Sequence, residues 1–132
     1  MMIWGKGMGA IYGAFAGVLC DDITGLVLEE PLISFESVVH AKVPAFQNEI
    51  MLPGILENFD MTQIYQALCP RPVSVINPFL GDKTYAGLSD IEIIDKSVIA
   101  TYRGIRKQKN WFMRNINSDE RGKIIISIIT NN

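Results

Sequence analysis

The sequence predicts an α/β protein of three layers, in which a mostly parallel sheet of about four strands is flanked by helices. Four short apolar runs are typical of strands buried on both faces; they are Met2–Trp4, Ile23–Leu28, Val73–Asn77 and Ile124–Ile129. The segments between these runs include helical patterns, as right-handed crossovers between parallel strands require. Hydrophobic residues make up 48% of the chain and charged residues 20%, which suits a sheet covered on both faces. Because 132 residues is the length of one domain, residues 1–132 are expected to form a single domain.

The first part of the chain is predicted to hold two strands and two helices. An Ala- and Gly-rich apolar segment, Ile11–Leu19, follows the first strand and is predicted to be a helix. The second strand ends before Pro31, because proline cannot donate to a central ladder. Leu32–Ala41 is predicted to contain a short helix, and residues 44–51 are expected to form an irregular excursion.

The middle of the chain is predicted to hold two helices before the third strand. Pro53 is suited to the first position of a short helix that runs through residue 58. Asp60 and Gln63 have the spacing of a capping box, which predicts a helix over Met61–Leu68. Pro70-Arg71-Pro72 then ends this helix and leads into the third strand.

The last third of the chain is predicted to be a long helix followed by the final strand. Ser89-Asp90-Ile91-Glu92 has the pattern of a second capping box and begins an amphipathic helix that Gly104 ends or kinks. Trp111, Phe112 and Ile116 are predicted to continue an apolar face before the polar turn at 117–122. The β-branched run Ile124–Ile129 is then predicted to be the last strand.

The glycine cluster between the first strand and the first helix fits two functional turns. Gly5, Gly7 and Gly9 fit the nucleophile elbow Gly-x-Ser-x-Gly, with Gly7 where the serine should be. Gly5, Gly7 and Ala10 fit the dinucleotide turn, and Glu29 or Glu30 lies where a ribose-binding acid is found. In that alternative a nucleotide would bind at Gly5, Gly7, Gly9, Ala10 and Glu29. The structural interpretation is that glycine lets the strand and the helix approach each other closely.

Four segments of the chain carry a family resemblance. They are Gly-Leu-Val-Leu-Glu-Glu-Pro at 25–31, Leu-Pro-Gly-Ile-Leu-Glu-Asn-Phe-Asp at 52–60, Ala-Leu-Cys-Pro-Arg-Pro-Val at 67–73 and Asn-Pro at 77–78. Together they resemble the C-terminal half of an α/β hydrolase, and the acetyl xylan esterase-like and dienelactone hydrolase-like members are the most similar. The resemblance covers nearly the whole chain, and its most specific feature is Pro-Arg-Pro-Val before an apolar strand. It implies a truncated α/β-hydrolase-like fold.

The resemblance implies where a catalytic triad would lie. It places the nucleophile at Gly7, the acid at Asp82 and a histidine after the final strand, which is predicted to end at Ile129. Gly7 has no side chain to form an acyl-enzyme, and no histidine follows Ile129 to act as the general base. We therefore expect an esterase-like module that does not hydrolyse esters by itself. It would be an interaction or accessory domain, or a fragment of a longer carbohydrate-esterase-like protein. Asp82 also has a structural interpretation as a turn residue beside Gly81.

The other reactive residue types form no pattern in the sequence. His40 is the one histidine, and no second histidine or cysteine lies at ligand spacing from it, so no metal site is expected. Cys20 and Cys69 are interpreted as buried thiols, and they do not indicate a compartment. No cofactor is expected.

Charge and hydropathy bear on the partners of the chain. The net charge of −2 argues against a nucleic-acid partner. A basic strip interleaved with Trp111 and Phe112 is interpreted as the solvated face of the long helix; its members are Arg103, Arg106, Lys107, Lys109 and Arg114. No apolar stretch reaches the roughly 20 residues of a membrane span, so no membrane partner is expected.

The first strand predicts a protein partner. In the resembling fold the elbow strand is internal, and without preceding strands Met2–Trp4 becomes an exposed apolar edge. Because proteins normally cover or pair such edges, we expect self-association or docking to a larger chain through Met2–Trp4.

Overall fold

The computed structural model of the chain describes residues 1–46 and 52–130. The strands are β1 (Met2–Lys6), β2 (Gly25–Glu29), β3 (Val73–Ile76) and β4 (Trp111–Arg114). The helices are α1 (Met8–Leu19), α2 (Phe35–His40), α3 (Met61–Ala67), α4 (Leu88–Gly104) and α5 (Ser118–Thr130). Two short 3₁₀ helices cover Ile55–Glu57 and Gln108–Asn110. The predicted excursion at 44–51 lies partly outside the described residues.

The four strands form one parallel sheet in the order β1-β2-β3-β4. The predicted fold class, a parallel sheet of about four strands flanked by helices, is therefore confirmed. Lys6 pairs in register with Glu29, and Glu29 with Ile76, so the carboxyl ends of the first three strands lie side by side. Strands that are consecutive in the chain are neighbours in the sheet. The connections therefore all advance in one direction across it.

The two faces of the sheet are covered unequally. Right-handed connections that advance in one direction place α1, α3 and α4 on the same face, and α1 contacts α3 while α3 contacts α4. This face holds the larger core, whose strand residues are Leu26, Leu28, Val73, Val75, Trp111 and Met113. On the other face, Ile125 of α5 packs against Val27 and Ile76.

The predicted strand at Ile124–Ile129 is wrong, because this run lies in α5. The Asn117 side chain accepts the Glu120 backbone N–H at 2.9 Å and caps the helix, and Asp119 and Glu120 occupy its first turn. Ile125 and Ile128 are three residues apart and both belong to the apolar cluster on the second face. Capping and tertiary packing thus override the β propensity of the isoleucines.

The predicted helical face at Trp111, Phe112 and Ile116 is also wrong, because Trp111 and Phe112 lie in β4. Trp111 turns inward and packs between Tyr65 and Tyr102, with ring centroids 5.6 Å and 5.8 Å away. Its indole N–H donates to Asp95 of α4 at 2.7 Å. The two-residue period of a strand explains why Phe112 instead joins the cluster on the second face.

The remaining predicted elements are found close to their predicted bounds. The capping box of α3 is confirmed, since Asp60 accepts the Met61 N–H and the Gln63 side chain accepts the Asp60 N–H at 2.8 Å. The capping box predicted at residues 89–92 is not formed, because the N-cap of α4 is Gly87, two residues before Ser89, and Asp90 accepts the Gly87 N–H at 3.0 Å. Within the described residues, no helix combines the length and apolar character needed to cross a membrane.

Candidate site at the carboxyl ends of the strands

The glycine turn joins β1 to α1 with a backbone that favours glycine. Gly7 has φ 57° and ψ −121°, a combination that residues with a side chain rarely adopt. A Cβ on Gly7 would meet no atom within 4 Å, whereas a Cβ on Gly5 would lie 2.4 Å from the Gly9 carbonyl oxygen. The close approach of strand and helix therefore requires glycine at Gly5, and the strained backbone favours glycine at Gly7.

A polar cavity of about 380 Å³ opens beside this turn, at the carboxyl ends of the strands. Each strand contributes to its lining through its last residue or the residues just after it; the lining residues are Lys6, Glu30, Asn77, Tyr85, Asn115, Ile116, Ser118 and Arg121. Ligands of open parallel sheets bind outside the carboxyl ends of the strands, which makes this cavity the candidate site. Lys6 pairs with Glu30 across its mouth at 3.4 Å.

Glu29 is buried, and it is bonded to Arg121, which lines this cavity. Its two carboxylate oxygens accept the Trp4 indole N–H at 2.5 Å and the Arg121 Nε–H at 2.6 Å. Pairing with Glu29 raises the pKa of the Arg121 guanidinium. Glu29 thus ties β1 and α5 to β2, and with only 3% of its side chain exposed its carboxylate is not presented to a ribose hydroxyl from solvent.

The backbone of the turn is also occupied. The Gly7 N–H donates to the Glu29 carbonyl at 2.8 Å, and the Gly7 carbonyl accepts from Ala10 at 3.1 Å. Dinucleotides bind where strand order reverses, and the order β1-β2-β3-β4 contains no reversal among the described residues. The structure brings Gly5, Gly7, Gly9, Ala10 and Glu29 together, and the bonds described for Gly7, Ala10 and Glu29 serve the fold.

One asparagine directly follows each of the strands β3 and β4. Asn77 follows β3 with φ 51°, a conformation that asparagine tolerates better than most residues, and its Oδ1 accepts the Ile116 N–H at 2.7 Å. Asn115 follows β4 and donates to the Ala86 carbonyl at 2.8 Å. β4 is the last strand among the described residues, so the histidine that the resemblance implies would be expected here, and residues 115–117 contain none. This position was not predicted, because the run Ile124–Ile129 has the β propensity of a final strand and lies later in the chain.

Asp82 does not line the cavity at the strand ends. It sits in the loop after β3, where its Oδ1 accepts both the Thr84 backbone N–H at 2.9 Å and the Thr84 hydroxyl at 2.6 Å. These bonds lower the pKa of the Asp82 carboxyl. This geometry is that of an Asx turn, as in the structural interpretation. The neighbouring Gly81 packs closely on Val38 of α2.

A second cavity, of about 440 Å³, is lined by Asp82 together with Ser37 and His40. These residue types would suit a catalytic triad, but their hydrogen bonds do not join them. The Ser37 hydroxyl donates to the Ser34 carbonyl at 2.6 Å, and His40 lies 3.6 Å from Glu36 on the same helix. The cavity therefore holds a serine, a histidine and an aspartate without the nucleophile-to-base contact that catalysis needs.

In the described part of the chain, no cluster of side chains is arranged for metal binding or thiol chemistry. Across residues 1–46 and 52–130, no three His, Cys, Asp or Glu side chains come together as a metal site would require. Cys20 and Cys69 are free thiols, and burial raises the pKa of Cys69. Comparison with protein-family models, with curated proteins and with solved structures finds no match to the chain. The resemblance to α/β hydrolases thus remains an expectation from the sequence.

Proposed function

We propose that the chain is a non-catalytic module with an esterase-like scaffold, and that it works by pairing the open edge of β1 with a strand of another polypeptide. The observation that supports this proposal is the position of β1. It pairs with β2 on one side, and no described strand lies on its other side. Trp4, at the centre of this edge, is 57% exposed. Exposed apolar edges are templates for strand addition.

The backbone of β1 directs some of its peptide groups away from β2, as strand addition requires. The Gly7 N–H bonds to Glu29, so in a parallel ladder Gly5 and Gly7 direct their peptide groups toward β2. The peptide groups of Trp4 and Lys6, which alternate with them, then point away from the sheet. The bond from the Trp4 indole to Glu29 also fixes the side chain at the centre of the edge.

A second copy of the chain is the partner we propose for this edge. A two-fold axis at Trp4 would pair β1 antiparallel with its symmetry mate and join two sheets into one of eight strands. The two tryptophans would then form a central cross-strand pair, which is among the more stabilising contacts between strands.

Light scattering after size exclusion tests this pairing. We expect the wild-type chain to pass from monomer to dimer over about a hundredfold range of concentration. Lys6→Pro removes an outward N–H and should give a monomer throughout. Lys6→Ala is the matched control, because it removes the same side chain and the same ion pair with Glu30 but keeps the N–H.

Three results would contradict the proposal. A wild-type chain that stays monomeric at the highest concentration would exclude self-association. Dimers of equal stability in Lys6→Pro and Lys6→Ala would place the interface elsewhere. Slow hydrogen exchange at Trp4 and Lys6 in a monomer would show that the edge is already covered.

The absence of serine hydrolysis is tested separately. We expect the purified chain to cleave p-nitrophenyl acetate no faster than buffer, because Gly7 offers no hydroxyl. Gly7→Ser restores a hydroxyl at a position with open space, yet it should stay inactive, since no histidine is placed to activate it. Saturable cleavage by the wild-type chain would overturn this part of the proposal.

A further inference from the structure

A basic turn, defined here as residues 103–109, projects from the end of α4. It carries four cations in seven residues, Arg103, Arg106, Lys107 and Lys109, and all are exposed. Among the described residues, none of these four side chains forms an ion pair. Ile105 lies in the middle of the turn and is 51% exposed. Four uncompensated charges around an exposed aliphatic side chain are unusual in a chain whose net charge is −2.

The basic turn is held in place by the backbone and by its two ends. The Arg106 N–H donates to the Arg103 carbonyl at 3.0 Å and the Lys107 N–H to the Tyr102 carbonyl at 2.9 Å, which is the Schellman pattern at a helix end. At its far end, Asn110 donates to the Pro70 carbonyl at 2.8 Å. Arg103 lies in the last turn of α4, Arg106 and Lys107 follow the helix, and Lys109 lies in the 3₁₀ helix. The basic residues are therefore displayed at the end of α4 and do not form the one continuous face of the long helix that was predicted.

Two carboxylates toward this end of the fold have partners outside the basic turn. Asp21, at the end of α1, pairs with Arg71 at 3.1 Å. Asp95 accepts the Trp111 indole N–H. Neither is bonded to a cation of the basic turn, so the turn keeps its positive field.

We propose that the basic turn makes a weak, reversible contact with the surface of an anionic lipid bilayer. The cations would bind the phosphate and carboxylate groups of the lipid heads, and Ile105 would enter the boundary between heads and acyl chains. Residues 103–109 include no aromatic side chain on which bases could stack, which favours lipid over single-stranded nucleic acid. The expectation of no membrane partner rests on the lack of a spanning segment, and contact with a bilayer surface does not need one.

Cosedimentation with vesicles tests this contact. Wild-type protein should bind phosphatidylcholine vesicles that contain about 30 mol% phosphatidylserine, and it should not bind pure phosphatidylcholine. Arg106→Gly/Lys107→Gln should lower the partition coefficient at least about fivefold. The glycine suits the left-handed backbone of Arg106, so this variant should fold. Lys96→Gln/Lys123→Gln is the matched control; it removes two lysine charges elsewhere and should change binding less than about twofold.

Ile105→Ser separates the apolar contribution from the charge. It should weaken binding to the anionic vesicles and leave the dependence of binding on salt unchanged. Three outcomes would overturn the proposal: no binding to anionic vesicles at low salt, equal losses in the two double variants, or tighter binding to a uridine oligonucleotide than to vesicles at the same phosphate concentration.

Discussion

At the scale of single residues, three glycines of one turn have three different environments. A Cβ on Gly5 would collide with the Gly9 carbonyl, Gly7 has a left-handed φ with open space, and Gly9 has neither constraint. We expect Gly5→Ala to lower the free energy of unfolding by about 3 kcal/mol, since backbone must move. Gly7→Ala should lower it by about 1–3 kcal/mol through backbone strain. Urea denaturation of the two variants measures both effects.

Gly9→Ala is the internal control for this series. Gly9 lies in the first turn of α1, where alanine is the better helix former, so this change should be neutral or stabilising by up to about 1 kcal/mol. Equal losses in all three variants would contradict the geometry of the turn.

At the scale of elements, the end of α4 shows how one position can be improved. Arg106 occupies the left-handed position of a Schellman motif, with φ 59°, where glycine is the preferred residue. We expect Arg106→Gly to raise the free energy of unfolding by about 0.5–1 kcal/mol. Arg106→Ala removes the same side chain without relieving the backbone, and thermal unfolding of the pair separates the two effects. A glycine variant no more stable than the alanine variant would argue against the left-handed backbone.

The attachment of α5 to the sheet depends on an ion pair across 92 positions of sequence. Glu29 is 2% exposed, and its carboxylate accepts hydrogen bonds from Trp4 and Arg121. Arg121→Ala leaves one oxygen of a buried carboxylate without its donor, and we expect a clear loss in the free energy of unfolding. Lys123→Ala, an exposed change in the same helix, should stay within about 0.5 kcal/mol. Similar losses in both would mean that α5 contributes only helix propensity.

At the scale of the whole molecule, local patterns in the sequence predicted most of the fold. The first three strands, the α3 cap and the parallel arrangement follow from short apolar runs, Asp60 with Gln63, and the spacing of the crossovers. The last strand and last helix were predicted in the wrong places. Four residues of β4 are too few to show a period, and the isoleucines of α5 favour strand until the Asn117 cap and the second face of the sheet are considered.

The candidate site could be predicted only in part. The glycine turn is local, so Gly5 and Gly7 were found from their spacing alone. The cavity at the strand ends brings Lys6, Asn77, Asn115 and Arg121 together from four separate segments, and nothing in a single sequence reveals such contacts. Asp82 was selected through the family resemblance, and the structure places its carboxylate on Thr84, outside that cavity.

The order of the strands has a consequence for how the chain is made. Every strand after β1 pairs with the strand synthesised just before it, so the sheet can assemble in the direction in which the ribosome delivers the polypeptide. Helix α5 then covers the second face of the sheet, and its Arg121 donates to Glu29 of β2, which is synthesised much earlier. We expect that carboxylate to stay hydrated until α5 packs on the sheet, because α5 carries the arginine that pairs with it.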